Sequence, residues 1–243
     1  MTTPQTLTDR LGVLTIGQAP RGDLTAEIAP LLPGVSLVEA GVLDGLDHEQ
    51  ITELGAPRSD EHHLTTKLRD GHSVIIGESF VTERLPKRLA HLEKRSDVVL
   101  LACTGPFPGI PHTTPLIVPD RVITHATAGL AEPGSTVGVI SPLPEQRADS
   151  GQKFKHRLKD SNILNAACSP YTSPLADFTA VGRELAAGGA QIIALDCIGY
   201  TEEHRQAVSR AAQVPVLLAR SAAAHFAMEM LSSARLLQKA DPA

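Results

Sequence analysis

The fold is decided by two stretches that repeat one pattern, DVVLLACTG over Asp97–Gly105 and QIIALDCIG over Gln191–Gly199. Each is a short, mostly apolar run of the kind that forms a buried parallel strand, and each ends in Cys-x-Gly. After each comes an apolar strand that begins with proline, Pro115–Val118 or Pro215–Leu218, and then an Ala-rich helix. The same order of elements, met twice in one chain, indicates an internal duplication.

The remaining apolar runs complete two halves of similar layout. The first half opens with VLTIG at 13–17 and the second with VGVIS at 137–141. Helical patterns separate the runs, and such alternation is typical of a parallel sheet covered by helices. The predicted strands are Leu11–Gly17, Ser36–Ala40, Asp97–Ala102, Leu116–Val118, Thr136–Ser141, Ile163–Ala167, Gln191–Asp196 and Val214–Ala219.

The predicted fold class is therefore α/β, with two pseudosymmetric lobes that each contain a mostly parallel four-stranded sheet flanked by helices. The first lobe is predicted to comprise residues 1–120 and a returning C-terminal helix within 221–243, and the second lobe residues 121–220. Within the second lobe, a helix is predicted to begin at the N-cap Ser173 and to end at Gly188-Gly189.

The first half is longer than the second, and its surplus lies at about 44–93. Ser73–Gly77 is predicted to form a hairpin or an edge strand there. A stripe of helical period follows from Val81 to Leu92, in which Pro86 must lie in the first turn or kink the helix. From its position alone, we expect this insertion to cap a cleft and to contribute to the choice of substrate.

Composition excludes several classes of function. The 243-residue chain has a net charge of −5 and only 3% aromatic residues, so nucleic acid is not an expected partner. The N-terminal ten residues are polar and no apolar run is long enough to cross a bilayer, so we expect a cytoplasmic protein with no membrane partner. Without a phosphate-binding glycine loop or zinc-type spacing of Cys and His, we predict no cofactor and no metal.

The three cysteines, Cys103, Cys168 and Cys197, are expected to remain thiols in a reducing compartment. Cys103 and Cys197 follow equivalent strands, at the carboxyl edge where parallel sheets bind ligands. If the lobes face each other, the two thiols approach a ligand from opposite sides, as an acid and a base must for stereoinversion at carbon. Cys168 has no equivalent in the other half, and we interpret it as structural.

Residues near the two cysteines are the candidates for binding a small carboxylate substrate. A thiol pKa can fall to roughly 3.5–7.5 at a helix N-terminus, so we expect a thiolate and a thiol to coexist at neutral pH. Glycine at the second position after each cysteine lets backbone amides approach a carboxylate or enolate. The predicted substrate-binding residues are Gln18, Arg21, Thr104, Gly105, Ser141, Ile198 and Gly199, with Arg21 able to hold a carboxylate through two hydrogen bonds.

Three strings, TIGQAPR at 15–21, GVLDGL at 41–46 and LDCIGY at 195–200, resemble the AroM family over nearly the whole chain. That family in turn resembles the aspartate/glutamate/hydantoin racemase superfamily, whose members have two pseudosymmetric lobes and a catalytic cysteine in each. The resemblance implies that Cys103 and Cys197 are these cysteines and that Gln18 and Ser141 bind the substrate carboxylate. Members of the superfamily often dimerise, so it also allows a homodimer, although no apolar stripe in the sequence requires one.

The leading hypothesis is a cofactor-independent racemase or isomerase that uses the two thiols as opposed acid and base on a small carboxylate or amino-acid derivative. Within the same fold, a maleate-type isomerase would use one cysteine as a nucleophile, and a decarboxylase would need a single thiol. A non-catalytic protein that closes over a metabolite as a sensor is the alternative from a different class. Retention of both thiols favours the two-base chemistry.

Overall fold

The computed structural model describes residues 9–239 of the chain. In chain order the strands are β1 (Asp9–Thr15), β2 (Val35–Gly41), β3 (His63–Lys67), β4 (Ser73–Gly77), β5 (Val98–Ala102), β6 (Leu116–Ile117), β7 (Thr136–Ser141), β8 (Asn162–Ala167), β9 (Ile192–Leu195) and β10 (Val216–Leu218). The α-helices are α1 (Gly22–Ile28), α2 (His48–Leu54), α3 (Glu78–Glu93), α4 (Pro119–Leu130), α5 (Arg147–Arg157), α6 (Leu175–Ala187), α7 (Glu202–Ala212) and α8 (Ala219–Lys239).

Two four-stranded parallel sheets confirm the predicted α/β architecture. The first sheet has the order β2-β1-β5-β6, and the second, read in the matching direction, has the order β8-β7-β9-β10. All six strand pairings in the two sheets are parallel. The two orders are the same when each half is counted from its own first strand, so the duplication seen in the sequence is a duplication of topology. In each half, the strand before Cys-x-Gly is central in its sheet.

The helices that follow the last strand of each half cross to the other sheet. Ile123 of α4 packs with Val137 and Val139 of the second sheet, although α4 follows β6 of the first. In α8, Ala223, Ala224, Ala227 and Leu231 pack with residues of β1 and β5. This exchange of helices joins the two halves into one packed body, while the exact lobe boundaries at 120 and 220 stay predictions.

The insertion at 44–93 consists of α2, the antiparallel hairpin β3–β4 and α3. Ser73–Gly77 is therefore one strand of a hairpin, which agrees with the first of the two predicted alternatives, a hairpin or an edge strand. Pro86 lies in the interior of α3, which begins at Glu78, so the first of the two alternatives, a place in the first turn, is excluded. The helix tolerates this proline because its apolar stripe is buried, and tertiary burial outweighs the loss of one backbone donor.

Helix α6 begins close to its predicted start. Its N-cap is Pro174 instead of Ser173, whose hydroxyl accepts a hydrogen bond from the Ser169 N–H at 3.0 Å. Its C-cap is Gly188, and Gly189 follows in the left-handed region at φ 89°. Among the described residues, every helix is too short or too polar to cross a bilayer.

Candidate active site

A cavity of about 480 Å³ lies where the carboxyl ends of the two sheets meet. Both lobes and the insertion contribute to its wall. The residues that line it are Ile16, His62, Leu64, Thr65, Thr66, Ala102, Cys103, Thr104, Gly105, Pro106, Pro142, Gln146, Asp149, Ser150, Gln152, Lys153, His156, Tyr171, Asp196, Cys197 and Ile198. Its volume lies within the range of pockets that hold small metabolites.

Cys103 and Cys197 both line this cavity, each from its own sheet. Cys103 directly follows β5, and Cys197 follows β9 after one intervening aspartate. Their side chains are nearly buried, with 7% and 6% of their surface exposed. The thiols are close enough that a charge on Cys197 would raise the pKa of Cys103. The structure thus brings the two cysteines singled out by the sequence to one ligand-sized space.

The acidity of these thiols differs from the sequence-based expectation. Burial raises the pKa of Cys103 to about 12 and that of Cys197 to about 11, so both are neutral at physiological pH. The expected lowering by a helix N-terminus is wrong because no helix begins next to either cysteine. The described chain is irregular from Cys103 to β6, and α7 begins only at Glu202. Desolvation therefore dominates, since the thiolate loses more from leaving water than the thiol does.

The Cys-x-Gly segments have the same local geometry in both lobes. The Gly105 N–H donates a hydrogen bond to Cys103 Sγ at 3.2 Å, and the Gly199 N–H donates to Cys197 Sγ at 3.4 Å. At both positions a side chain would meet a close neighbour. A Cβ at Gly105 would lie 2.9 Å from the Leu64 side chain, and one at Gly199 would lie 2.5 Å from the Tyr171 hydroxyl oxygen.

Lys153 is a site residue that sequence reasoning missed. Its ammonium donates hydrogen bonds to Asp120 Oδ1 at 2.7 Å, Asp196 Oδ1 at 2.8 Å and the Thr104 carbonyl at 3.0 Å. Burial alone would lower the pKa of Lys153, but the two carboxylates outweigh that effect and raise it. Lys153 is therefore a fixed positive charge in the cavity wall. It lies on α5, whose sequence is polar on most sides, so no motif distinguishes it from the neighbouring lysines.

Tyr171 is a second residue that the sequence analysis did not select. It lies in the segment after β8, and burial raises the pKa of its hydroxyl, with the charge of a Cys197 thiolate acting in the same direction. The hydroxyl therefore remains protonated and can donate a hydrogen bond inside the cavity. The rule that ligands bind at the carboxyl ends of parallel strands applies to β8 as well and could have identified it.

Of the predicted substrate-binding residues, Thr104, Gly105 and Ile198 line the cavity. Gly199 lies just behind it, against the Tyr171 ring. The Thr104 hydroxyl donates to the Asp196 carbonyl at 3.1 Å, which links the two Cys-x-Gly segments directly.

Three other predicted residues make contacts within the protein. Gln18 donates to the Leu46 carbonyl at 2.8 Å and accepts from the Arg69 N–H at 3.0 Å, so it anchors the insertion. The buried Ser141 hydroxyl donates to the Ala166 carbonyl at 3.2 Å. The Arg21 guanidinium is nearly buried and binds both carboxylate oxygens of Asp23 at 2.8 Å. The two-pronged carboxylate contact predicted for Arg21 is thus occupied by a side chain of the protein.

The insertion covers one side of the cavity. His62 and three residues of β3 belong to the lining. Two contacts tie this edge to the second lobe: His62 Nδ1 lies 2.9 Å from Asp149 Oδ2, and the Gln146 amide donates to the His63 carbonyl at 2.6 Å. The hairpin therefore acts as a wall that spans from one lobe to the other. Within residues 9–239, no cluster of three or more His, Cys, Asp or Glu side chains is arranged to hold a metal ion.

Comparison with known proteins gives one family and one fold. The family model described as AroM protein matches residues 11–231. No curated protein matches the chain in sequence. Among solved structures, unliganded arylmalonate decarboxylase is 13% identical with a TM-score of 0.56, covering 92% of this chain and 93% of that one.

Two further solved structures have the same fold. Glutamate racemase from Francisella tularensis, in complex with D-glutamate, is 13% identical with a TM-score of 0.56, covering 94% of this chain and 83% of that one. The maleate isomerase Iso from Pseudomonas putida S16 is 12% identical with a TM-score of 0.55, covering 92% and 93%. At such identities the likeness establishes the two-lobed racemase-like fold.

Proposed function

The chain belongs to the AroM family, and on that premise we propose that it is a cofactor-independent racemase or isomerase acting on a small carboxylate or amino-acid derivative. Cys103 and Cys197 serve as the opposed acid and base. One observation supports the proposal above all others: the two thiols come from equivalent positions of two different sheets and line a single cavity.

The reaction needs one thiolate and one thiol. The thiolate takes the proton from the carbon next to the substrate carboxyl group, and the opposite thiol delivers its proton to the other face of that carbon. The two groups exchange their protonation states in one turnover, and the reverse direction uses them in the opposite order. Because burial raises both thiol pKa values, the reactive form is a minor population at neutral pH.

The polar lining of the cavity favours a carboxylate ligand. Lys153 and Tyr171 both line the cavity that holds the cysteines. The three Lys153 N–H groups are already engaged by Asp120, Asp196 and the Thr104 carbonyl, so the protonated Tyr171 hydroxyl is the donor available to a ligand. A hydrogen-bond donor held in a low-dielectric cavity stabilises the negative charge that develops when a carbon acid loses its proton.

The solved structures with this fold also favour this class of reaction. One neighbour is a glutamate racemase, another a maleate isomerase and a third a decarboxylase. A carbanion or enolate equivalent at a carbon next to a carboxyl group is common to racemisation and decarboxylation. The choice between them depends on whether one thiol or two take part, which is what the following experiment measures.

The test is hydrogen exchange in D2O with a panel of amino acids, hydantoins and small dicarboxylates, followed by NMR and by chiral analysis of each compound. We expect deuterium to enter the carbon next to the carboxyl group of at least one compound, together with inversion. Cys103→Ser and Cys197→Ser should each abolish inversion, while the matched control Cys168→Ser should retain it, because Cys103 and Cys197 line the cavity and Cys168 lies outside that lining.

Other outcomes would contradict the proposal. Tight binding of a compound without exchange would identify a metabolite sensor. Turnover that survives in one of the two cysteine variants would identify one-thiol chemistry of the decarboxylase type. Release of CO2 in the same incubations would be direct evidence for a decarboxylase.

A further inference from the structure

One peptide group in each lobe lies between a cation and a cysteine. In the first lobe this is the peptide that joins Thr104 to Gly105. The Lys153 ammonium donates to the Thr104 carbonyl at 3.0 Å, and the N–H of the same peptide, on Gly105, donates to Cys103 Sγ at 3.2 Å.

The second lobe repeats the arrangement with a different cation. The Arg220 Nε donates to the Ile198 carbonyl at 3.0 Å, and the N–H of that peptide, on Gly199, donates to Cys197 Sγ at 3.4 Å. Arg220 also donates to the Gly199 carbonyl at 3.2 Å and pairs with Glu27 at 3.0 Å. Arg220 is only 1% exposed, so its donors are shielded from water.

The internal duplication allows the residues behind the two peptide groups to be compared position by position. The runs PLIVPD at 115–120 and PVLLAR at 215–220 are equivalent, which sets Asp120 in the place of Arg220. The first lobe has a carboxylate where the second has its cation, yet Asp120 holds Lys153 at 2.7 Å and thereby places a positive charge on the Thr104 carbonyl. Two different residue sets therefore produce the same contact, a cation on the carbonyl of the residue after the cysteine.

We propose that Lys153 and Arg220 are positioning residues that stabilise the thiolates of Cys103 and Cys197 through these two peptide groups. A cation at the carbonyl oxygen polarises the amide and strengthens its N–H as a donor to an anionic sulfur. Hydrogen bonds to an ionised acceptor are about twice as strong as neutral ones, so the thiolate gains more than the thiol. The use of these thiolates in turnover rests on the proposed function, whereas their acidity does not.

Several charged or titratable groups face the two sulfurs, and some raise the thiol pKa values while others lower them. Burial raises the pKa of each thiol most strongly. For Cys103, the charges of Cys197 and Asp120 add to the rise, and that of Lys153 opposes it. For Cys197, Asp196 adds to the rise, and Arg220 and Arg21 oppose it. Tyr171 and Tyr200 also lie within the electrostatic reach of Cys197. The two proposed cations thus limit a rise that burial would otherwise make larger.

The experiment measures the alkylation rate of each cysteine by iodoacetamide, resolved by peptide mass spectrometry, at fixed pH below the thiol pKa values. Lys153→Met should slow Cys103 more than Cys197, and Arg220→Met should slow Cys197 more than Cys103. Each unit of pKa increase removes about nine-tenths of the thiolate, but the remaining thiolate is more nucleophilic, so we expect a decrease of about threefold to fourfold per unit.

Conservative variants and an internal reference separate acidity from structure. Arg220→Lys and Lys153→Arg retain a cation and should restore much of the rate, and each rate should keep a thiolate-type rise with pH. Cys168 takes part in neither arrangement and packs in the same core cluster as Cys197, so its alkylation rate reports general opening of the fold in every sample. Methionine is unbranched and nearly as large as lysine, so Lys153→Met should change the access of the reagent to Cys103 little.

The inference is overturned if Lys153→Met leaves the Cys103 rate unchanged, or if all three cysteines change together. If Arg220→Met does not fold, the Lys153 variants and Arg220→Lys decide the question alone. No substrate is needed for any of these measurements. A chain that shows the selective rate changes but no exchange in D2O would support this inference and contradict the proposed function.

Discussion

Replacing Lys153 by methionine tests whether Lys153, Asp120 and Asp196 act as one coupled charge cluster. The side chain of Asp196 is only 2% exposed, whereas those of Asp120 and Lys153 are 23% and 25% exposed. Without Lys153, Asp196 is a buried carboxylate with no cation, and burial already raises its pKa in the intact protein. Breaking a buried pair by removing one partner costs about 3–5 kcal/mol. Because Lys153 retains some contact with water, we expect the lower end, about 3 kcal/mol.

Asp196→Asn should cost less. The asparagine oxygen can still accept a hydrogen bond from Lys153, which also retains Asp120, so we expect a loss of about 1 kcal/mol. In the double variant Lys153→Met/Asp196→Asn the buried negative charge is gone, and the cost of leaving it unpaired disappears with it. The double variant should therefore be more stable than Lys153→Met alone, with a coupling of about 2 kcal/mol between the two sites.

Urea unfolding followed by circular dichroism gives the free energy of unfolding of all four proteins in this cycle. The matched control is Lys155→Met on the same helix, since Lys155 is exposed and donates only to the Ser161 carbonyl. We expect the control to lose well under half of what Lys153→Met loses. If the losses of Lys153→Met and Asp196→Asn simply add to within about 0.5 kcal/mol, the two charges act independently and the reasoning is refuted.

Two further predictions concern pH and packing. Burial raises the pKa of Cys103 to about 12 and that of Cys197 to about 11, whereas thiols in the unfolded chain ionise near pH 8.5. Above about pH 8.5 the folded state therefore holds more protons than the unfolded state. The free energy of unfolding should fall as the pH rises from about 8.5 to 10. Each thiol contributes at most about 1.4 kcal/mol per pH unit to this decrease. Cys197→Ser should therefore make the free energy of unfolding fall less steeply with pH, and an unchanged slope would contradict a buried, neutral thiol. Gly17→Ala should lower the free energy of unfolding in urea by about 1–3 kcal/mol, because the new Cβ would lie 2.2 Å from the Lys67 carbonyl oxygen at the end of β3. Wild-type stability of this variant would show that β3 does not pack against Gly17.

The arrangement of strands could be predicted because the pattern of apolar residues indicates it. In a chain that alternates apolar runs with helical stripes, a run such as DVVLLA at 97–102 indicates a buried parallel strand. All eight strands predicted for the two sheets are present in the structure. The positions of Cys103 and Cys197 follow from the same pattern, since a residue directly after a parallel strand must lie at the carboxyl edge. The interior proline of α3 could not be predicted, because its tolerance depends on how well the helix is buried.

The electrostatic character of the site was less accessible to sequence reasoning. The acidity of a thiol depends on how much water reaches it, and the water is excluded partly by the insertion, whose placement no local pattern determines. Arg21 looked like a ligand-binding residue, but Asp23, two residues away, occupies its guanidinium. Lys153 looked like one more lysine of a polar helix. Its partners Asp120 and Asp196 come from other parts of the chain, so only the folded structure brings them together.

The two lobes share a backbone plan but differ in how each controls its cysteine. Lys153 lines the cavity, so a ligand can contact the cation that lies behind the Cys103 peptide. Arg220 is buried behind the Cys197 peptide, held by Glu27 and by the Asp23 carbonyl of the other lobe, so its charge is set by the protein alone. The charge of Lys153 opposes the rise in the Cys103 pKa, while that of Asp196, its partner at 2.8 Å, adds to the rise for Cys197, so this one pair acts on both thiols. The two pseudosymmetric thiols therefore have unequal surroundings, with a partly exposed cation behind the first peptide and a buried one behind the second.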